Sequence, residues 1–170
     1  MTALTVERLR EILDYESTTG TFVWRQRAHR SKYAHNARYI GKPAGWLNKK
    51  GYVYIKIDAH KYRTARLAWL HFYGSWPKLH VDHINGDRAD NRIANLREVT
   101  PQQNSFNLKG HKDSKSGLKG VYWDEARSKW LSSIFVSGKS VHLGRFDTKQ
   151  EADAAYRQAA AKLHGAFARG

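Results

Sequence analysis

The chain has 170 residues, of which 41% are hydrophobic and 12% aromatic, enough to build the core of one domain or two small ones and to exclude wholesale disorder. Lys and Arg number 30 against 15 Asp and Glu, a formal charge of +15 spread from end to end, which points to a polyanionic partner. No stretch approaches the ~20 apolar residues of a membrane span, no signal-peptide apolar region opens the chain, so a cytoplasmic protein is expected, and the lack of cysteine excludes disulfides and thiolate metal sites.

Thr5 predicts a helix cap, and Val6, Leu9, Ile12 and Leu13 recur behind it at helical spacing. Ser17-Thr18-Thr19-Gly20 reads as a turn into a short strand over 21–25. The run from Arg25 to Arg38 holds Arg25, Arg27, His29, Arg30, Lys32 and Arg38 without periodicity, and stays open between a solvated loop and a phosphate contact. Asn48-Lys49-Lys50-Gly51 predicts a hairpin turn. In the strand that follows, Val53, Ile55 and Ile57 alternate on a core face while Tyr52, Tyr54 and Lys56 share an aromatic, basic one. A strand over 62–64 and a helix from Arg66 to Tyr73, stopped by Gly74, come next, with Trp69 and Phe72 expected to point into the core.

The densest chemistry lies in His80-Val81-Asp82-His83-Ile84-Asn85-Gly86-Asp87, then Asp90-Asn91-Arg92-Ile93-Ala94-Asn95-Leu96-Arg97, then Gln103-Asn104. A strand from Lys78 to His83, a turn at Asn85-Gly86 and a strand from Leu96 to Thr100 lead into a helix, with Thr100 as cap, Pro101 in first position and Gln103 completing a capping box. Asp82 and His83 then end one strand and Asn104 sits on the helix, where the three can converge. Such a set suits a one-metal phosphodiesterase: a hard divalent cation takes oxygen ligands such as Asp82 and Asn104, and His83 is placed to accept a proton from water attacking phosphorus. A calcium loop starting at Asp82 fails, since Ile84 and Asp87 occupy places that need an oxygen ligand and a glycine. A zinc site on His80 and His83 lacks further ligands. A polar loop satisfying itself leaves the spacing unexplained.

These motifs resemble the HNH endonucleases of bacteriophages, and within them the subgroup related to intron-encoded homing endonucleases, whose last motif residue is asparagine. Asn95 lies twelve positions after His83 and Asn104 twenty-one, where that subgroup carries its middle and last motif residues. The resemblance implies His83 as general base, Asp82 and Asn104 as ligands of one Mg²⁺ or Mn²⁺ ion, and Asn95 as the residue that braces the loop and orients the base. The segments Gly51–Ile57, Arg66–Trp69 and Tyr73–Pro77 are similar to these enzymes too, so the likeness covers most of residues 1–108. One position departs: many relatives have histidine where this chain has Ala65.

The polar run from Lys109 to Leu118 reads as a linker. Beyond it, Lys119–Trp123, Lys129–Val136 and Lys139–Phe146 predict three strands. Thr148 with Glu151 predicts a capping box for a helix lined by Ala152, Ala155, Tyr156, Ala159 and Leu163. Gly120-Val121-Tyr122, Lys129-Trp130, Leu143–Thr148 and Glu151–Tyr156 resemble the DNA-binding domain of plant ethylene-response and Apetala transcription factors, whose sheet enters the major groove. Places where that family reads bases with arginine hold Tyr122, Phe135 and His142 here.

The expectation is an α+β protein: residues 1–108 form a ββα-metal nuclease module, catalytic core about 78–108, preceded by a small antiparallel sheet and helix. Residues 109–118 are the linker, and 119–170 form a three-stranded antiparallel sheet on one helix. It would act as a metal-dependent endonuclease on double-stranded DNA, nicking or cutting, at sites selected partly by the second module. Candidate DNA contacts are Arg25, Arg27, Arg30, Lys32, Tyr52, Tyr54, Lys56, Lys119, Tyr122, Trp123, Lys129, Trp130, His142 and Arg145. Neither a membrane nor an obligate protein partner is expected, and the compartment is the bacterial host cytoplasm if the gene is a phage's. The alternatives are a DNA-binding regulator on an inactive nuclease fold and, less favoured by the spacing, an RNA-binding protein.

Overall fold

The computed structural model describes residues 4–26, 39–106, 115–136 and 138–167. The chain divides into two compact units, Met1–Thr100 and Pro101–Gly170, each taken by itself.

In the first unit, helix α1 (Val6–Ile12) starts where Thr5 predicts, the threonine hydroxyl accepting from the Arg8 amide at 3.2 Å. It buries Leu9 and Ile12 and runs directly into β1 (Leu13–Glu16), which pairs antiparallel with β2 (Thr21–Trp24). A second sheet has the order β3 (Trp46–Leu47), β4 (Val53–Ile57), β5 (His60–Arg63). Asn48 builds the turn before β4 by accepting from the amides of Lys50 and Tyr52. Ile55 and Ile57 are buried and Lys56 is exposed, the sidedness the alternation calls for.

Helix α2 (Thr64–Tyr73) begins earlier than expected, since Thr64 and Ala65 already pack inward. It ends at Gly74, whose left-handed φ of 76° lets its amide return to the Leu70 carbonyl. Trp69 packs on the core, but Phe72 corrects the reading: the packed stripe ends at Leu70, and Phe72, a half-turn beyond, is 50% exposed with its ring against Tyr73. Strand β6 (His80–His83) pairs antiparallel with β7 (Leu96–Val99). It starts two residues later than Lys78, because the Leu79 amide bonds the Glu98 carboxylate instead of a strand partner. The core joins Leu9, Ile12, Leu13, Phe22, Ile55 and Leu67.

The second unit opens with α3 (Pro101–Phe106). Its sheet has the order β10 (Lys139–Phe146), β9 (Lys129–Val136), β8 (Val121–Asp124), antiparallel throughout, with a bulge between His142 and Gly144. Helix α4 (Lys149–His164) carries the Thr148–Glu151 capping box in full. Its buried line advances four residues at a time, Ala152, Tyr156, Ala160, His164, so Leu163 falls beside it and is 50% exposed, against the expectation. Gly120 admits Tyr156: a Cβ there would lie 2.2 Å from the ring. Of the expected linker, 109–114 lie outside the described residues, while Ser116 is buried and donates to the Val121 carbonyl at 2.6 Å. The Phe106 ring stacks on His164 at 3.7 Å, and Lys119 Nζ donates to the Phe106 carbonyl at 2.7 Å.

Candidate active site

His83 closes β6 and is 4% exposed. Its Nε2 lies 3.3 Å from Asn91 Oδ1, and the direction of that bond is fixed from the far side. Asn91 Nδ2 donates to the Ala89 carbonyl at 3.0 Å; were the amide turned over, two oxygens would face each other there. Asn91 therefore presents an acceptor to the ring, the neutral imidazole carries its proton on Nε2, and Nδ1 holds the lone pair. The β1–β2 hairpin seats this asparagine: Tyr15 donates its hydroxyl to the Asn91 carbonyl at 2.7 Å, and Gly20 packs so closely that a Cβ would lie 2.5 Å from the Asn91 carbonyl carbon.

Burial lowers the pKa of His83, outweighing the Asn91 hydrogen bond and the carboxylates of Asp82, Asp87 and Asp90, which raise it. Desolvation thus prevails over the neighbouring Asp82 and favours the neutral imidazole.

Asn95 ends a 3₁₀ turn (Ile93–Asn95) and is buried. It braces the loop after His83 through three bonds: Oδ1 accepts from the Asn85 amide at 3.0 Å, and Nδ2 donates to Asn85 Oδ1 at 3.0 Å and the Asp90 carbonyl at 2.8 Å. The hydrogen bond to the imidazole comes from Asn91, a residue the sequence reading quoted within its motif but gave no task.

Asp82 is buried opposite Arg97 in the register, and its Oδ2 accepts from Arg97 Nε at 3.0 Å and Nη2 at 2.9 Å. As neighbours in a strand, Asp82 and His83 point to opposite faces, which suits two separate tasks rather than joint ligation of one ion. Asn104 lies on α3, half-buried, in the second unit. Ala65, in place of the relatives' histidine, is buried on α2. Among the described residues no three of His, Asp and Glu gather as a metal cluster, so a metal here would lean on amide oxygen, water and substrate.

The candidate contact residues divide. Tyr52 is half-buried with its ring 6.3 Å from that of His83, and the guanidinium carbons of Arg63 and Arg88 lie 4.5 and 4.8 Å from its centroid. Tyr54 stacks on Trp46, and Lys56 is exposed. Arg25 donates to the Arg10 carbonyl and pairs with Asp14; Arg27, Arg30 and Lys32 lie outside the described residues.

In the second unit, alternation puts Tyr122, Phe135, His142 and Arg145 on the sheet face away from α4, with Tyr122 55% and Phe135 59% exposed. Arg145 is held by Asp124 at 2.9 Å and Lys129 by Asp147. Trp123 and Trp130 share the face of Val121 and Ser132, both fully buried, are themselves half-buried, and pack edge to face at 5.1 Å. Lys119 is turned to the Phe106 carbonyl.

A family model described as HNH endonuclease matches residues 62–106, and one described as AP2 domain matches 116–166. The chain is 35% identical over 102 residues to Protein 3.8 of Escherichia phage T7, covering 59% of this chain and 84% of that protein. It is 30% identical over 131 residues to the HNH endonuclease L560 of Acanthamoeba polyphaga mimivirus, covering 76% of this chain and 67% of the other. A solved structure of DNA binding and cleavage by the HNH homing endonuclease I-HmuI aligns with a TM-score of 0.42 and 24% identity, over 62% of this chain and 56% of that one. With the HNH match running through β6, its loop and α3, and identity extending over two thirds of the mimivirus protein, the chain belongs to the HNH endonuclease family.

Proposed function

We propose that the protein is a divalent-metal-dependent endonuclease that hydrolyses phosphodiester bonds of double-stranded DNA. Residues 1–108 act as the nuclease module, and 119–170 help select the site through the open face of their sheet. The observation that carries this reading is the buried imidazole of His83, held by Asn91 at the end of a strand whose preceding residue is a buried carboxylate.

His83 Nδ1 takes a proton from the water that attacks phosphorus, a task that needs an unprotonated imidazole near neutral pH. Asn91 holds the ring so that the lone pair is on that nitrogen. Asn95 keeps the following loop folded back on itself. One carboxylate and one amide oxygen, Asp82 and Asn104, are the donor set for a hard cation such as Mg²⁺ or Mn²⁺ that keeps most of its water. A carboxylate's roughly four lone-pair sites allow Asp82 to serve a cation as well as Arg97. When bound, the metal supplies stabilisation of charge on the phosphate and the leaving oxygen.

The test is supercoiled plasmid incubated with the protein with and without Mg²⁺. Nicked or linear product in Mg²⁺ supports the reading; a gel shift with no cleavage supports the DNA-binding regulator instead. His83→Ala should lower cleavage ~10²–10⁴-fold, the range for loss of a general base, with DNA affinity nearly unchanged. A variant cutting at the wild-type rate removes His83 from the mechanism.

A further inference from the structure

The ring of Tyr52, just before β4 and 6.3 Å from that of His83, carries two guanidinium groups, and neither has a carboxylate partner among the described residues. Arg63 ends β5 and Arg88 lies in the loop after His83, 25 positions later, yet their guanidinium carbons stand 4.5 and 4.8 Å from the centroid of Tyr52. Among the described residues both side chains are tied by neutral acceptors alone. Arg63 Nε donates to the Tyr54 hydroxyl at 3.2 Å, and Arg88 Nη1 to the Lys50 carbonyl at 3.0 Å. The loop's own carboxylates are committed elsewhere: Asp87 accepts from the Ala89 amide, and Asp90 pairs with Arg92 and Asn85. Of the unit's other arginines, Arg8 pairs with Asp58 and Glu11 and Arg97 with Asp82, while Arg10 and Arg66 bond backbone carbonyls; among the described residues only Arg63 and Arg88 share a single ring.

Two like charges gathered on one ring repel each other, and an exposed pair would drift apart unless held. The ring's negative face and the two neutral acceptors hold them while leaving their charge unsatisfied. An arrangement of that kind is completed by an anion, and a guanidinium's fork of donors matches the oxygens of a phosphate. Tyr52 stands 6.3 Å from the His83 ring, so the anion nearest the pair lies within a nucleotide or two of whatever His83 acts on.

We infer that Arg63 and Arg88, gathered on Tyr52, form a clamp for backbone phosphates flanking the bond that His83 attacks. The assignment of a bond to His83 rests on the nuclease reading above; the phosphate contact does not. The clamp supplies position and affinity without base preference, because phosphate contacts carry no sequence information.

The experiment measures binding of the full chain to a short duplex by fluorescence anisotropy in EDTA, over a range of salt, for wild type, Arg63→Gln, Arg88→Gln and the double variant. Arg8→Gln is the comparison, since its charge is already neutralised, and a thermal melt of each checks folding. Each clamp variant should reduce the log–log salt slope by ~0.9, and the double by ~1.8, as expected for one phosphate released per arginine. Tyr52→Leu, which removes no charge, should weaken binding while Tyr52→Phe does not. In Mg²⁺, a methylphosphonate beside the mapped cleavage position should weaken wild type and leave Arg63→Gln or Arg88→Gln with little more to lose. Slopes no smaller than that of Arg8→Gln overturn the clamp, even if plasmid is cut. Reduced slopes in a protein that never cuts would leave the clamp standing and remove the nuclease reading.

Discussion

Replacing Asn91 with alanine tests whether the imidazole of His83 is held rather than merely buried. The side chain makes two bonds, to His83 Nε2 at 3.3 Å and to the Ala89 carbonyl at 3.0 Å, each worth about 1 kcal/mol net. Its removal also strands the Nε2–H of a residue that is 4% exposed, a penalty of about 1–3 kcal/mol. Nearby atoms relax, so the loss from the first unit's stability should be about 2–4 kcal/mol, read as a lowered urea midpoint. The chemical effect is separate. A ring without its acceptor can exchange tautomers and turn over, and a misplaced base costs ~10²-fold, so single-turnover cleavage should fall ~10–10²-fold, less than for His83→Ala. Asn91 is 3% exposed, so affinity for DNA should stay near wild type. The direct readout is the ¹⁵N spectrum of the neutral imidazole without metal: Nε2–H in wild type, a mixture in Asn91→Ala. A wild-type spectrum showing the proton on Nδ1, or a folded Asn91→Ala protein cutting at full rate, would refute the reasoning.

Asn95→Ala deletes three bonds that close the loop after His83 and should cost about 2–4 kcal/mol in urea unfolding, with amides of 84–92 exchanging faster; a change below about 1 kcal/mol would mean the loop is held by something else. Gly20→Ala and Gly41→Ala form a matched pair, with φ of +74° and +72°. Both meet the ~1–2 kcal/mol cost of the left-handed region, but only at Gly20 would the Cβ strike backbone, 2.4 Å from the Arg92 nitrogen, so Gly20→Ala should be the worse by at least ~1 kcal/mol. Equal losses would deny the tight seat of the Asn91 segment. Since burial puts the folded pKa of His83 below the unfolded ~6.5, two pH effects follow. The cleavage rate at saturating metal should rise with pH and level off before ~6.5. The stability due to neutral His83 should be full above ~6.5 and lost as pH falls from there through the lower folded value. A rate midpoint above 6.5 would mean that the carboxylates, not burial, govern the ring.

Local rules carried much of the fold. The Thr5 cap, the alternation that buries Ile55 and Ile57, the stop at Gly74 and the Thr148–Glu151 capping box each depend on residues within a turn or two, and each is where the sequence puts it. Spacing likewise marked Asn95, whose three bonds stay within ten residues. What escaped was long-range. The role of Asn91 depends on Tyr15, 76 positions away, and on the Gly20 turn. The pKa of His83 depends on how deeply other elements cover it. The β8–β9 register, not the local pattern, puts Trp123 and Trp130 on the face of Val121 and Ser132. Nothing in the local pattern joins Arg63 to Arg88, which meet only because β4, β5 and the loop after β6 share one ring.

Helix α3 has six residues, too few to hold together in water unaided. Its last carbonyl is taken by Lys119 and its last ring lies flat on His164, the final residue of α4. Asn104, the closing residue of the nuclease motif, is thus anchored by side chains that follow it in the chain and belong to the region matching the AP2 domain. The frontier between motifs and the frontier between folded bodies do not coincide. A chain severed after residue 108 would keep every motif residue in its sequence yet lose the two fastenings that hold the helix of Asn104, so the downstream domain is scaffold to the motif, whatever it contributes to DNA binding.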